Sequence, residues 1–177
     1  DLFSYSYSKR SMAVQIESYN KRFKTKYNYI IPCNLYGEFD KFDAIQGHFV
    51  GALIDKIIKA KKKNEKHIKL FGDGRPKRQF MHAKDLAKII YLMVKNNINE
   101  SFNVATQENY SVKKIAKIAL EVCDFKKAKI HFIKSMPNGQ MRKDINIEKL
   151  NKIFPNFNPI LLKDGIREIY LKKMKEV

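Results

Sequence analysis

The stretch Ile68-Lys-Leu-Phe71-Gly-Asp-Gly-Arg-Pro-Lys-Arg-Gln-Phe-Met-His82 decides the class of fold. Residues 68–71 read as a strand, and Gly72-Asp-Gly74 stops it. Residues 78–82 resume extended structure, and a helix through Leu86, Ile89, Ile90 and Met93 follows. Outward from this unit the alternation continues in both directions. Upstream, apolar positions Met12, Ile16, Tyr19 and Phe23 recur at helical spacing, and Tyr29-Ile-Ile-Pro32 reads as a short buried strand. A loop rich in turn formers and aromatics then spans 33–43, and His48 opens a helix through Leu53, Ile54, Ile57 and Ile58. Downstream come a strand over 101–105, a helix capped by Ser111 and a strand over 129–133. A polar loop around Pro137-Asn-Gly139 precedes closing helices over 146–154 and 161–175. Alternation of this kind predicts an α/β sheet protein.

A chain of 177 residues with 44% hydrophobic and 12% aromatic side chains can bury one core. No apolar run approaches the ~18 residues of a membrane span. Asp1-Leu-Phe-Ser has neither the basic start nor the apolar stretch of a signal peptide. Cys33 and Cys123 are too few for a disulfide scaffold and lack metal-ligand spacing, so a reduced, cytoplasmic setting is expected. The net charge of +18 raises the question of a nucleic-acid partner. Arginine is scarce, however, with six residues in the chain, and the lysines are spread along it. The dense run Lys59-Ala-Lys-Lys-Lys63 closes a helical stretch, where cations suit the helix dipole. A lysine-biased surface is the expectation, and nucleic acid an unlikely partner.

Tyr5 and Lys9 stand four residues apart at the head of the first helical pattern, so phenol and ammonium reach the same point in space. An ammonium beside a phenol favours the phenolate, which makes the pair a candidate acid/base device. Tyr7, the competing phenol, has Ser11 at that spacing. No Gly-x-Gly-x-x-Gly or Gly-x-x-Gly-x-x-Gly occurs anywhere in the sequence, so nothing here cradles a dinucleotide pyrophosphate in the usual way. The expectation is that residues 1–177 form the second part of something longer, with the dinucleotide-binding half absent.

Four segments carry a resemblance: Tyr5-Ser-Tyr-Ser-Lys9; Ile31-Pro-Cys-Asn-Leu-Tyr-Gly37 with Phe39-Asp40 and Phe42; Gly47-His48; and 71–82 with Asp85. They resemble the extended short-chain dehydrogenase/reductase superfamily, and within it the GDP-L-fucose synthase family. The resemblance implies a partial NAD(P)-binding Rossmann sheet with a smaller C-terminal sugar-nucleotide-binding lobe. It implies an NADP-dependent 3,5-epimerase/4-reductase acting on a GDP-4-keto-6-deoxyhexose, inactive as this stretch alone, and a homodimer. The first helix, with Met12, Ile16 and Tyr19, is a candidate dimer surface, though core packing explains those residues equally well.

Residue roles follow from the same resemblance. Tyr5 would protonate the C4 oxygen, and Lys9 would hold the nicotinamide ribose. His48 would serve the epimerisation steps, and an imidazole suits proton transfer near neutrality. Pro32, Cys33, Asn34 and Leu35, with His48, would lie along the nicotinamide. Arg78 would bind the diphosphate bidentately. Asn34, Lys56, Phe71, Asn138 and Lys143 complete the expected sugar-nucleotide contacts. Lys56 replaces the family's arginine, Phe71 its tryptophan, and Asn138 an acidic residue. No metal is expected. His82 would brace the site, and Cys123 belongs to the core. Rival readings are a reductase or epimerase of another nucleotide sugar such as a GDP-deoxyheptose, a basic nucleic-acid-binding module, and a catalytically dead interaction protein.

Overall fold

The computed structural model describes residues 2–43 and 46–176, so the outermost positions of the unit expected over 1–177 lie outside the described residues. In chain order the elements are α1 (Leu2–Phe23), β1 (Ile30–Pro32), β2 (Asn34–Tyr36), α2 (Phe49–Lys62), β3 (His67–Phe71), β4 (Lys77–His82), α3 (Ala83–Lys95), β5 (Phe102–Val104), β6 (Asn109–Ser111), α4 (Val112–Val122), β7 (Lys129–Ile133), α5 (Glu148–Ile153) and α6 (Leu162–Lys175). Three parallel pairings organise them: β1 with β5, β2 with β4, and β3 with β7. Parallel strands need a crossover, and helices supply it here. β6 adds to β4 in the antiparallel sense. The expected α/β class is the observed one.

Two strands fall outside the sequence reading. β2 lies inside the stretch expected to be a loop, and β6 just before α4. Each has three residues, too few to show a period. Both exist because β4 offers two edges: Asn34, Leu35 and Tyr36 register with Phe80, Met81 and His82, while Asn109 and Ser111 face Gln79 and Lys77. Side chains reinforce this. Asn34 Nδ2 donates to the Gln79 carbonyl at 2.9 Å, and buried Gln79 donates to the Thr106 carbonyl at 2.7 Å.

Apolar side chains gather into two clusters. The larger joins α2 (Leu53, Ile54, Ile57), β3 (Ile68, Leu70), α4 (Ile115, Ala119) and α6 (Ile166, Ile169). Cys123 sits there, and burial pushes its thiol up to about 12. The smaller holds Met81 of β4, Ile89 and Met93 of α3, Phe102 and Val104 of β5, and Leu150 of α5. Ser111 caps α4 as expected, its hydroxyl accepting from the Lys114 N–H at 3.1 Å.

α1 belongs to neither cluster. Its helical spacing is as expected, yet Met12, Tyr19 and Phe23 are more than half exposed, so core packing within this chain does not account for the stripe. Ile90, on the expected apolar face of α3, is exposed as well. Local pairs hold α1 instead: Phe3 stacks on Tyr7, and Tyr19 meets Phe23 with ring centroids 5.3 Å apart.

Candidate active site

One large cavity, about 1660 Å³, opens between α1, the β1–β2 segment and the larger core. That exceeds the roughly 300–1,000 Å³ of an ordinary small-ligand pocket and has room for two large ligands side by side. Every candidate residue lines it. Tyr5 and Lys9 come from α1; Pro32, Cys33, Asn34 and Leu35 come from β1 and β2. His48 and Lys56 come from the start and middle of α2, Phe71 from the end of β3 and Arg78 from β4. Asn138 and Lys143 come from the chain after β7. Side chains separated by up to 138 positions therefore share one wall, because three parallel pairings bring their strand ends together.

On α1 the Lys9 ammonium stands 5.8 Å from the centre of the Tyr5 ring, as four-residue spacing on a helix requires. Tyr5 is 64% exposed and open to the cavity. Across from it, Cys33 is buried, its thiol pushed up to about 11 by desolvation and directed at the Asn34 carbonyl. A thiol so held is a poor nucleophile at neutral pH, so Cys33 contributes shape only.

Lys56 is partly desolvated, which draws its pKa down. Its ammonium donates to the Lys69 carbonyl at 3.0 Å and lies 5.4 Å from the Phe71 ring centre. The cation sits over the ring, and the exposed Phe71 side chain still offers aromatic surface to a planar group. Arg78 donates one N–H to the Lys77 carbonyl at 2.7 Å and forms no ion pair among the described residues. Asn138 has a task of its own. Gly72 turns with φ of +77°, and its missing Cβ leaves space for Asn138 Oδ1, which accepts from the Asp73 N–H at 2.8 Å. The Arg75 and Asn138 donors hold the Asp73 carboxyl below its ordinary range. The polar loop after β7 is thereby clasped onto the Gly72–Gly74 turn.

His82 behaves as a brace. It ends β4, caps α3 by accepting from the Lys84 N–H at 3.2 Å, and meets Tyr36 edge-on with ring centroids 5.2 Å apart. Burial holds its imidazole below the usual titration range. Sequence reasoning gave Asp40 no role, although it lines the cavity. Its carboxylate lies 2.9 Å from His48 Nδ1, a contact across eight residues that no helical or strand periodicity reveals.

A sequence model of the NAD dependent epimerase/dehydratase family matches residues 1–105. The chain belongs to that family. Among relatives, GDP-L-colitose synthase of Yersinia pseudotuberculosis is 34% identical over 143 residues, covering 80% of this chain and 46% of the relative. GDP-L-fucose synthase of Dictyostelium discoideum is 31% identical over 168 residues, covering 93% of this chain and 52% of the relative. The chain thus spans about half the length of the relatives it matches. The crystal structure of a GDP-L-fucose synthetase from Naegleria fowleri bound to NADP superposes with a TM-score of 0.87 at 23% identity, covering 97% of this chain and 56% of that one. That likeness shows the fold: this epimerase/dehydratase-family chain carries part of a Rossmann-type sheet. No described helix is long and apolar enough to cross a membrane, and no described cluster of three or more acidic, His or Cys side chains could hold a metal ion.

Proposed function

We propose that this chain supplies the sugar-nucleotide half of an NADP-dependent 3,5-epimerase/4-reductase acting on a GDP-4-keto-6-deoxyhexose. One observation carries the proposal: the phenol–ammonium pair, the Gly-His step, the arginine and the Lys56–Phe71 platform come from four separate elements and line one cavity. Relatives named for GDP-L-fucose and GDP-L-colitose synthesis support GDP as the nucleotide. On this reading the dinucleotide-binding half lies outside these 177 residues, and the present stretch alone does not turn over.

The cavity fits one end of the cofactor. Lys9 offers a cation for a ribose hydroxyl, and Pro32 to Leu35 form a short wall of mixed polarity beside it. Nothing in the sequence fits the pyrophosphate, so only the nicotinamide end is held by these residues. When bound, NADPH supplies a hydride. Tyr5 donates its phenolic proton to the C4 oxygen, and Lys9 stabilises the phenolate that remains. His48 exchanges a proton with the carbons beside the C4 ketone, whose C–H bonds that ketone acidifies. Arg78 and Lys143 bind the diphosphate, Lys56 and Phe71 take the base, and Asn34 and Asn138 border the sugar and nucleotide. A homodimer joined through the exposed face of α1, and a cytoplasmic setting, complete the reading.

The test uses the whole protein, NADPH and the GDP-4-keto sugar in D₂O. The expected result is NADPH oxidation with deuterium entering at C3 and C5. NADPH oxidation without deuterium identifies a plain reductase, as a GDP-deoxyheptose reductase would be. No oxidation, combined with RNA or DNA binding on a steep salt slope, replaces the enzyme with a nucleic-acid module.

A further inference from the structure

We infer that Asp40 is the positioning residue that fixes the tautomer and orientation of His48; the inference rests on the role proposed for His48 above. Asp40 Oδ1 lies 2.9 Å from His48 Nδ1. The Asp40 side chain is only 9% exposed, whereas that of His48 is 81% exposed at the cavity. A carboxylate only accepts, so the shared proton sits on Nδ1 and the neutral ring keeps its lone pair on Nε2. Nε2 makes no hydrogen bond among the described residues, and it is the nitrogen left for the cavity.

Among the described residues no lysine or arginine pairs with Asp40. Lys172 pairs with Glu38, and Lys173 pairs with Glu176 at 2.6 Å while standing 4.5 Å from the Phe42 ring centre. The Lys41 ammonium goes to Gln46, while the Lys41 backbone N–H shares Asp40 Oδ1 with His48, donating at 2.8 Å. Asp40 Oδ2 is buried with no hydrogen-bond partner among the described residues. A buried carboxylate with one oxygen unserved is costly unless its charge has a use, and the imidazole is the group that can answer it.

The loop is built to make this contact. The Asp40 N–H donates to the Gly37 carbonyl, the Asp43 N–H to the Lys41 carbonyl and the Gly47 N–H to the Asp43 carbonyl, which draws Gly47 back onto the 37–43 segment. A Cβ at Gly47 would stand 2.3 Å from the Lys41 carbonyl oxygen and 2.5 Å from that of Asp43. Only glycine lets the loop close there and return the chain to His48 beside Asp40. At Gly51, one turn into α2, a Cβ would come within 3.3 Å of Asp40 Oδ2. The Gly-His step is therefore the mechanical half of an Asp–His pair.

In the reaction, Nε2 takes the proton from a carbon beside the C4 ketone. The C–H bond breaks, an N–H bond forms, and the electron pair moves onto the C4 oxygen as an enolate. The Asp40 carboxylate stabilises the imidazolium until that proton passes to solvent, and a solvent-derived proton reaching the opposite face of the carbon completes the inversion; an aspartate plays this part beside a catalytic histidine elsewhere.

The experiment takes the whole protein in wild-type, Asp40→Ala, Asp40→Glu and His48→Ala forms. Nitrogen-15 NMR of the His48 ring, which needs no substrate, is expected to show the Nδ1–H tautomer in the wild type. Asp40→Ala, which removes the acceptor facing Nδ1, is expected to move the ring toward the Nε2–H tautomer. Deuterium uptake at C3 and C5 should then fall about 10- to 100-fold, the loss typical when the partner orienting an imidazole is removed. Reduction of the already epimerised sugar should fall far less, and Asp40→Glu should restore part of the uptake. A wild-type Nε2–H tautomer, or a tautomer unmoved by Asp40→Ala, overturns the inference. Uptake lost in His48→Ala but intact in Asp40→Ala overturns it while leaving the role of His48 standing. Uptake intact in His48→Ala overturns that role, and with it the use made here of Asp40.

Discussion

The two walls of the cavity are built in opposite ways. α1 presents Tyr5 and Lys9 from a long helix whose apolar stripe is exposed and belongs to neither core. Asp40, before α2, and His48 and Lys56 at its start and middle stand on the other wall, beside a helix packed in the larger core, where Val50, Leu53, Ile54 and Ile57 are almost wholly buried. On the first wall geometry is set by helix spacing alone. On the second it is set by tertiary closure. A substitution on α1 should therefore act on chemistry and leave stability nearly untouched, whereas one beneath the second wall should act on stability first.

The sharpest way to break this contrast is Tyr5→Phe in the whole protein. It should cut the rate of C4 reduction by about 10²–10⁴-fold, the usual worth of a positioned acid. GDP-sugar binding and the melting temperature should stay close to wild type. A large fall in melting temperature would mean that α1 is packed after all.

Next in size is Ile57→Ala, in the core under the second wall. It should cost about 2–5 kcal/mol in denaturant unfolding, from lost burial and the cavity left behind. Tyr19→Ala on α1 should cost no more than about 0.5 kcal/mol if its exposed face has no partner. A loss for Tyr19→Ala that grows with protein concentration would show that a second copy covers that face.

The smallest effect concerns pH. Burial holds His82 below its unfolded value near 6.5, so as pH falls through that value the unfolded chain takes up a proton that the folded chain refuses. Stability carried by neutral His82 is present above about pH 6.5 and is lost on acidification, at no more than about 1.4 kcal/mol per pH unit. Asp85, whose carboxyl is raised by burial, contributes with the opposite sign at lower pH. His82→Asn keeps an acceptor for the α3 cap and should flatten the slope between pH 7 and 5.5. An unchanged slope would mean that His82 is not what senses acid there.

Much of this molecule was legible from residue pattern. The helices over 2–23, 49–62 and 112–122 follow apolar spacing, and Ser111 announced its cap through side-chain chemistry alone. β2 and β6 were not legible, because three-residue strands carry no period and arise only where β4 offers an edge. Among site residues, Tyr5 and Lys9 were read from helical spacing, and the others by resemblance to known motifs. The exposure of Met12 and Tyr19 could not be read at all, since a stripe that faces a core and a stripe that faces something else are written in the same residues.

By itself, then, the sequence determined the α/β order, the helix that aligns Tyr5 with Lys9, and the glycines at 47 and 72 that permit close approach. Those are local properties, governed by backbone sterics and by spacing within one element. Tertiary structure alone decided that strand ends far apart in the chain line one cavity, that Asn138 serves the Gly72 turn, and that Asp40 reaches His48. Such contacts depend on which strands pair and how a loop closes, and no periodicity within a single element encodes them.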